Sequence, residues 1–471
     1  MKKINNLILI CGLIFASYSC EDAMDIEPVG SLIGDVTFET LVDLQLGLNG
    51  AYARYNPESE ILINSVFTDN CKPGYDNGGQ EINFYNWALT AGDGNTTALW
   101  NSNYSLINQC NRVLEAAELL NVDASEQAEM DNLKGQLYTL RAVAHLTLAS
   151  YFTTDYLDGN ALSVIISDRV PEVTEILPRN TNSEIFTFIE SDLTMASSLL
   201  AVTQTDNKYI SQDFVTGLKA RMALLQNDSS AIGYAQTLID SYSLANQLQY
   251  SSTFLDSDNT EVIFKATRTS GLIGGLWYFT NSAGPFIEAS NSLYNAFDTS
   301  DVRLTVNINF SSNNSGPSEP ENNIHLINKY PGNASAFLSD VKVMRVSEMY
   351  LIKAESQVTG NDLDGAAETL KELRDARFGS STALDSYSSQ AAAYDAVLKE
   401  RRLELAFEGH RYLDIKRFKN RLNSGINRDA LDCASGGNCV MLPSDHRLTL
   451  PIPQVELNAN SSIIQNPGYG N

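Results

Sequence analysis

The chain has few cationic residues, few cysteines and, beyond its first segment, no long apolar run. Its 32 Lys and Arg residues face 57 Asp and Glu residues, which gives a formal net charge of −25 over 471 residues. A surface this acidic repels phosphate backbones, so nucleic acid is not an expected partner. A small disulfide-stapled scaffold is also excluded, because a chain of this length buries a hydrophobic core without cross-links.

The sequence lacks the common signatures of catalysis. It contains no G-x-S-x-G nucleophile elbow, no H-E-x-x-H zinc motif and no G-x-x-x-x-G-K-[ST] phosphate loop. His145 lies on an apolar helical stripe, which favours a hydrogen-bonded core histidine over a catalytic base. We therefore expect a protein that is not an enzyme, has no catalytic residues and uses no cofactor.

Residues 1–19 have the pattern of a lipoprotein signal peptide. Lys2 and Lys3 precede an apolar run at residues 7–16, which is shorter than the roughly 20 residues that span a bilayer. Cys20 follows this run after three further residues, and the chain then becomes acidic. This pattern predicts a lipidated Cys20 at the start of the mature chain and an acidic tether at residues 20–36, with ordinary secretion and an unmodified Cys20 as the alternative.

Four cysteines in the mature body predict two disulfide bonds, because exported chains meet an oxidising environment. Cys433 and Cys439 are close in sequence and would close a small loop. Cys71 would then pair with Cys110 by elimination. Zinc is disfavoured because Cys-x5-Cys has the wrong spacing and no histidine lies near enough in sequence to complete a site, so no metal site is expected.

Apolar residues recur at steps of three and four through much of the chain, which is typical of amphipathic helices. The clearest stripes lie at residues 130–151, 186–200, 215–225, 343–358 and 363–373. Thr181 and Glu184 form a capping-box pattern before the second stripe. Short polar turns join helices into hairpins that resemble tetratricopeptide-type repeats, although no regular period of about 34 residues is present.

Long insertions rich in Asn, Gly, Asp and aromatic residues interrupt this helical pattern. They lie at residues 68–103, 268–291 and 307–340. Binding residues are usually found on loops that a rigid scaffold carries. The predicted fold is therefore mainly α: an irregular tetratricopeptide-like helical-hairpin scaffold with long loop-rich insertions and few short strands.

Several motifs follow one another in a characteristic order along the mature chain. They are Cys20–Pro28, the set Trp100, Tyr104, Ile107 and Asn111, Leu140–Ala142 with Tyr151–Phe152, Arg345–Glu355, Glu400–Arg417, Leu450–Pro453 and Gln465–Tyr469. Together they resemble the SusD/RagB family, the surface lipoproteins of Bacteroidota that capture nutrients for a partnered outer-membrane transporter. The resemblance covers nearly the whole mature chain.

The SusD/RagB resemblance implies a lipid-anchored protein on the outer face of the outer membrane. Such a protein would bind an oligosaccharide and hand it to a SusC-like TonB-dependent transporter, as part of polysaccharide utilisation. The resemblance assigns an N-terminal SusD-like helical region with ligand loops to residues 37–240. It assigns the C-terminal SusD/RagB region to residues 241–471.

Two regions combine aromatic rings with amide and carboxylate groups, which is the chemistry that binds sugars and peptides. An aromatic face covers the apolar face of a sugar ring, and Asn and Asp hydrogen-bond to hydroxyl or amide groups. The candidate ligand-binding residues are Tyr75, Asp76, Asn77 and Trp87 in the first region, and Trp277, Tyr278 and Phe279 in the second. The family resemblance implies ligand contacts in loops from these two parts of the chain. The alternative is that Trp87 or Trp277 pins its loop to the scaffold.

The charged block at residues 400–417 has two interpretations. On one continuous helix, Glu400, Glu404 and Glu408 would share a face, and a pair of carboxylates is what a glycosidase needs. Neighbouring arginines would keep these carboxylates ionised and deprive the site of a proton donor. The arginines in question are Arg374, Arg377, Arg401, Arg402, Arg411 and Arg417. A structural ion network is therefore favoured over catalysis.

Other functions compete with glycan uptake at this stage. RagB-like members of the same fold take up peptides, and the sequence does not separate the two ligand classes. A surface glycoside hydrolase that uses Glu400 to Glu408 is a less favoured alternative. A repeat scaffold without a small ligand would instead bury Trp87 and Trp277.

Overall fold

The computed structural model describes residues 38–172, 174–269, 273–278, 284–312, 323–332, 337–433 and 437–470, and the account below concerns these residues. The predicted signal peptide, the lipidation site at Cys20, the tether at residues 20–36 and the candidate Phe279 lie outside them. No helix within the described ranges is both long enough and apolar enough to cross a membrane.

The described chain is mainly α-helical, as predicted. The first helices are α1 (Leu41–Arg54), α2 (Glu58–Val66), α3 (Ile82–Tyr85), α4 (Gly94–Leu119), α5 (Gln127–Phe152), α6 (Asn182–Leu199), α7 (Gln212–Leu225) and α8 (Ser230–Ser241). They are followed by α9 (Gln247–Thr253), α10 (Asn291–Tyr294), α11 (Val302–Asn307), α12 (Val346–Thr359), α13 (Leu363–Phe378), α14 (Gln390–Glu404), α15 (Arg411–Leu422) and α16 (Gln454–Ala459).

Short strands form small antiparallel sheets between these helices. The strand β1 (Cys71–Pro73) pairs with β3 (Ile287–Ala289), β2 (Val262–Ala266) pairs with β4 (Val341–Arg345), and β5 (Ile426–Asn427) pairs with β6 (Val440–Met441). The first two pairings join parts of the chain that are far apart in sequence. They therefore fix the long loops against the helical scaffold.

Side-chain caps determine where several helices begin. The Thr181 hydroxyl accepts a hydrogen bond from the Glu184 N–H, and the Glu184 carboxylate accepts one from the Thr181 N–H. This capping box is the one predicted from the sequence. Thr40 and Asp43 form a second box at the start of α1.

Sequential helices pack as hairpins that stack on one another. α5 packs between α4 and α6, α7 packs against α8, and α12 packs against both α8 and α13. Nearly every residue of α5 from Gln136 onward is buried, which is typical of a helix covered by neighbours on all sides. The tetratricopeptide-like scaffold with long loops is thus confirmed.

The predicted helix at residues 343–358 begins later than expected. α12 starts at Val346, and Val343 belongs to the strand β4. The residues of β4 complete a ladder with β2, in which Val341 lies opposite Ala266. Long-range pairing therefore overrides the helical spacing of the first apolar residue.

The expectation of one continuous helix through residues 400–417 is wrong. α14 ends at Glu404, and the chain turns through positive φ values of 62° at Phe407 and 90° at Gly409 before α15 begins at Arg411. A left-handed backbone breaks a right-handed helix. Glu408 therefore lies on a turn and not on the helical face of Glu400 and Glu404.

Candidate functional site

The two loops predicted to carry ligand residues meet in the structure. In the β1–β3 ladder, Pro73 lies opposite Ile287, and beyond the strand end the Gly74 N–H donates to the Phe286 carbonyl at 2.9 Å. A side chain at Gly74 would not fit, because its Cβ would lie 2.2 Å from the Pro285 carbonyl oxygen. Glycine at this position lets the first loop run directly along the second.

Tyr75 and Asp76 are exposed at this junction. The Tyr75 side chain is 64% exposed, although its N–H donates to the buried Glu288 carboxylate at 2.7 Å. The Asp76 N–H donates to the Pro285 carbonyl at 3.2 Å. The Tyr75 ring lies against Gly284, where an added Cβ would come within 2.6 Å of the ring. An anchored backbone thus presents an open aromatic ring beside a carboxylate.

A third segment joins the same set of loops. Lys72 of β1 forms an ion pair with Glu288 at 3.4 Å and donates to the Asn323 carbonyl. The Ala289 N–H donates to the His325 carbonyl at 2.9 Å. Described segments of the insertions at residues 68–103, 268–291 and 307–340 therefore pack against one another. We call the exposed residues of these segments the loop surface.

Phe310 is an exposed aromatic residue of the loop surface that the sequence analysis missed. Its side chain is 97% exposed. The neighbouring Asn309 N–H donates to the Leu326 carbonyl at 2.9 Å, and Ile308 forms a β-bridge with Ile327. Its sequence signal is a single aromatic residue among Asn and Ser in a long insertion.

Trp87 and Trp277 are not exposed, so the expectation that they offer a free stacking face is wrong. Each is 1% exposed. The Trp87 indole N–H donates to the Phe67 carbonyl at 2.7 Å, and the Arg428 guanidinium lies 4.1 Å from the Trp87 ring centre. Trp277 packs edge-on against Phe407. Both rings pin their loops to the scaffold, as the alternative proposed.

Two further candidates serve the local structure instead of facing solvent. Tyr278 is buried, stacks on Phe337 with ring centres 5.0 Å apart, and donates its hydroxyl to the Ile327 carbonyl. The Asn77 side-chain amide donates to the carbonyls of Phe286 and Gln80, which holds the turn. Of the described candidates, Tyr75 and Asp76 are exposed and Asn77 is half-buried.

The cysteine prediction is half correct. Cys433 and Cys439 form a disulfide bond, as predicted. Cys71 and Cys110 are free and buried, so their predicted pairing is wrong. Cys71 lies in β1 and Cys110 within α4, and each is packed into the hydrophobic core, where free cysteine behaves as a small apolar residue.

The glutamates of the charged block belong to a buried ion network, as predicted. Arg345 donates to Glu404 at 2.8 Å and to Glu408 at 2.7 Å, and Arg377 donates to Glu404 at 2.9 Å. Burial would raise the pKa of Glu404, but the guanidiniums of Arg377 and Arg345 hold it well below its usual range. A carboxyl that stays ionised donates no proton, which removes the acid that a glycosidase requires.

The partners in this network differ in part from those expected. Arg374 and Arg377 pair with Glu400 and Glu404, as predicted. The remaining cations come from other segments: Arg303, Lys329 and Arg345. The arginines of the charged block bind other acids instead. Arg401 and Arg417 contact Asp414, and Arg402 and Arg411 contact Asp69.

His145 is a satisfied core histidine, as predicted. Its ring nitrogens lie 2.9 Å from the Arg141 carbonyl and 3.3 Å from the Ser167 N–H. Burial lowers the pKa of His145 to about 3, so the ring is neutral near pH 7. The described residues contain no group of three or more His, Cys, Asp or Glu side chains arranged to hold a metal ion.

Two family models match overlapping parts of the chain. One, described as starch-binding associating with outer membrane, matches residues 23–224, and the other, described as the SusD family, matches residues 212–469. Two proteins of Formosa agariphila are similar in sequence. SusD-like protein P2 is 24% identical over 99% of both chains, and SusD-like protein P38 is 24% identical over 88% of this chain and 92% of that protein.

Solved structures share the fold. A SusD superfamily protein from Bacteroides thetaiotaomicron has a TM-score of 0.78 and 25% identity, and the match covers 91% of this chain and all of that one. Surface glycan-binding protein A from Bacteroides fluxus has a TM-score of 0.71 and 19% identity, with 92% of this chain and all of that one covered. Since the SusD model alone matches more than half of the sequence, the chain belongs to the SusD family.

Proposed function

We propose that the protein captures an oligosaccharide at the loop surface and delivers it, uncleaved, to a SusC-like TonB-dependent transporter. The observation that carries this proposal is the pair of exposed aromatic rings, Tyr75 and Phe310, each next to a backbone group that hydrogen-bonds to another loop. A rigid, exposed ring binds the apolar face of a sugar with little loss of conformational entropy. Asp76 supplies a carboxylate that accepts hydrogen bonds from sugar hydroxyls.

A glycan is favoured over a peptide as the ligand. The matched model for residues 23–224 is named for starch binding, and a similar structure is named as a surface glycan-binding protein. The ionised, fully paired state of Glu404 supports binding without hydrolysis. We further propose that a lipid on Cys20 holds the protein at the outer face of the outer membrane, since the association with the outer membrane is part of the family description.

The first prediction concerns the exposed rings. Tyr75→Ala and Phe310→Ala should each weaken oligosaccharide binding by about tenfold, because a central contact of this kind contributes more than about 1 kcal/mol. Affinity electrophoresis in gels with different polysaccharides, followed by calorimetry with the oligosaccharide that binds, measures the effect.

Tyr209→Ala is the matched control, because Tyr209 is also an exposed aromatic residue but lies outside the loop surface. Its affinity should equal that of the unmodified protein. Unchanged binding in both loop-surface variants would contradict the proposed site. If no glycan binds and peptides bind saturably, the proposed ligand is a peptide and not a glycan. The appearance of shortened sugars would contradict the non-catalytic role.

The second prediction concerns location and partner. Affinity purification of the protein from solubilised outer membranes should recover a TonB-dependent transporter, and Cys20→Ala should release the chain from the membrane fraction. Protease treatment of intact cells should digest the anchored protein. Recovery of the mature chain from the periplasm, protected from protease, would contradict surface anchoring.

A further inference from the structure

A partly open cavity with a mixed polar and apolar wall lies in the helical scaffold, away from the loop surface. It is bordered by α5, α7, β4 and the turn at residues 408–410, and about 90 Å³ of it is open to the centres of water molecules. One ordered water needs about 10–15 Å³ of such space, so the cavity has room for roughly six to nine waters. At about 30 Å³ of liquid volume per water, six to nine waters occupy roughly 180–270 Å³. A molecule of the size of one hexose occupies a similar volume.

Four polar side chains on the cavity wall make no hydrogen bond to any other described residue. They are Tyr55, Glu60, Thr147 and His410. Tyr55 and Thr147 are buried, and Glu60 and His410 are half-buried. Polar groups without a protein partner are paired with water or with a ligand. The wall therefore offers hydroxyl, carboxyl and imidazole groups to whatever fills the cavity.

The backbone brings together the two segments that carry Glu60 and His410. Gly409 has a positive φ of 90°, and a Cβ built on it would lie 3.5 Å from the Glu60 Cβ. The turn thus brings His410, the next residue, toward the start of α2. Glycine at position 409 permits this backbone conformation.

Apart from Glu60, the charged side chains of the wall are paired with other charged groups. Arg221 forms a two-point ion pair with Glu348, with both distances at 2.7 Å. Burial lowers the pKa of His410 to about 3, so its ring is neutral. Burial raises the pKa of Glu60 to about 7, against the opposing effect of Arg221. The other charged side chains of the wall are also paired: Arg401 and Arg417 with Asp414, Lys342 with Asp256, and Glu408 with Arg345. Among the described wall residues, Glu60 is therefore the charged group without an ion pair. A neutral ligand with hydroxyl groups can use the unpaired hydroxyl, carboxyl and imidazole groups.

The remaining wall is apolar and suits the C–H faces of a compact ring. It is formed by Val143, Leu146, Leu218, Leu224 and Val343, among others. A small site with an apolar lining and a few convergent polar groups is the usual architecture of small-molecule sites.

We propose that this cavity binds one small, uncharged, hydroxyl-rich molecule of the size of a single pyranose, through the side chains of Tyr55, Glu60, Thr147 and His410. The site is separate from the loop surface and goes beyond the proposed capture of oligosaccharides. The ligand class follows from the volume of the cavity, the pairing of its charged side chains and its mixture of unpaired donors and acceptors.

Saturation-transfer NMR on the full mature chain tests the proposal with D-glucose, D-galactose and D-mannose as probes. At least one hexose should bind saturably. Tyr55→Phe should weaken that binding by about two- to tenfold, because it removes one hydrogen-bonding hydroxyl and little volume. Val143→Phe should abolish it by filling the cavity. Tyr250→Phe is the matched control, because it removes a buried, unpaired hydroxyl that does not line the cavity.

The same experiment separates this site from the loop surface. Tyr75→Ala should leave hexose binding unchanged, while Tyr55→Phe should leave oligosaccharide binding unchanged. The proposal is overturned if no hexose binds saturably, if Tyr75→Ala abolishes hexose binding, or if Tyr55→Phe has no more effect than Tyr250→Phe. A crystal structure grown with the hexose that shows only water in the cavity would also overturn it.

Discussion

Glu60 shows how one buried carboxyl links stability to pH. Burial raises its pKa from 4.5 to about 7, and the neighbouring Arg221 only partly opposes this effect. The folded state therefore holds a proton on Glu60 that the unfolded state releases above about pH 4.5. Stability is lost as the pH rises from about 4.5 through about 7, and the loss above pH 7 is at most about 3 kcal/mol.

The third prediction follows from this linkage. Glu60→Gln should raise the free energy of unfolding at pH 8 by up to about 3 kcal/mol, because glutamine needs no proton to stay neutral. Near pH 4.5 the same variant should match the unmodified protein. Urea denaturation at both pH values measures the difference, and a stability gain that is equal at the two pH values would contradict the pKa assigned to Glu60.

Single residues also explain why some site predictions were wrong. Trp87 and Tyr75 lie in the same insertion, and no local pattern says which ring packs inward. The Trp87 ring is buried because its N–H reaches the Phe67 carbonyl and Arg428 stacks on it from a distant part of the chain. Tyr75 is exposed: Glu288 holds its backbone, and among the described residues Gly284 lies against its ring without a side chain to cover it.

At the scale of elements, the network around α14 joins four separate parts of the chain. Glu404 binds Arg345 at the end of β4, Arg377 in α13 and Arg303 in α11. All four side chains are at most 1% exposed. Buried charges like these require complete pairing, since an unmatched charge in the interior is strongly unfavourable.

The fourth prediction concerns this network. Glu404→Gln should lower the free energy of unfolding by about 3–5 kcal/mol, because it removes one of the carboxylates that neutralise the buried Arg345 and Arg377 and leaves Glu261 and Glu408 to pair with them. Glu118→Gln is a suitable control, because it removes an ion pair to Lys134 in which Glu118 is largely exposed. That control should change stability by less than about 1 kcal/mol. Equal effects of the two substitutions in urea denaturation would contradict a structural role for Glu404.

Elements with strong local signals were predictable, and elements that depend on distant partners were not. The apolar stripes of α5, α6 and α7, with the capping box of α6, suffice to locate these helices because i, i+3 and i, i+4 spacing is a local property. β4 was taken for the start of a helix because its pairing with β2 spans more than 70 residues of intervening sequence. The break after Glu404 is harder to predict, because the chain leaves the helix before Gly409 and Phe407, a bulky residue, adopts a positive φ.

At the scale of the whole molecule, buried histidines determine the response to acid. Burial lowers the pKa of His145 and His410 to about 3 and that of His325 to about 4, all from 6.5. Below pH 6.5 the unfolded chain binds protons on these residues, while the folded protein keeps them neutral. Stability therefore falls as the pH drops from about 6.5, whereas Glu60 contributes a change of the opposite sign.

The fifth prediction is the net result of these titrations. Between about pH 6 and pH 5, unfolding should take up on the order of two protons, so the free energy of unfolding should fall by at most about 3 kcal/mol per pH unit. Urea denaturation across this range measures the slope. His145→Gln should reduce the number of protons taken up on unfolding by on the order of one, which makes the slope smaller. A free energy of unfolding that stays constant or rises as the pH falls from 6 to 5 in the unmodified protein would contradict the neutral histidines.

The sequence by itself determined the helical class, the principal helices, the close disulfide and the family, because these depend on spacing, capping and motif order along the chain. Only the tertiary structure decided which aromatic rings reach solvent, which acids pair with which cations, and that Cys71 and Cys110 stay free. The physical reason is that burial and pairing belong to contacts between residues far apart in sequence. The β1–β3 ladder that unites Tyr75 with its loop surface is one such contact.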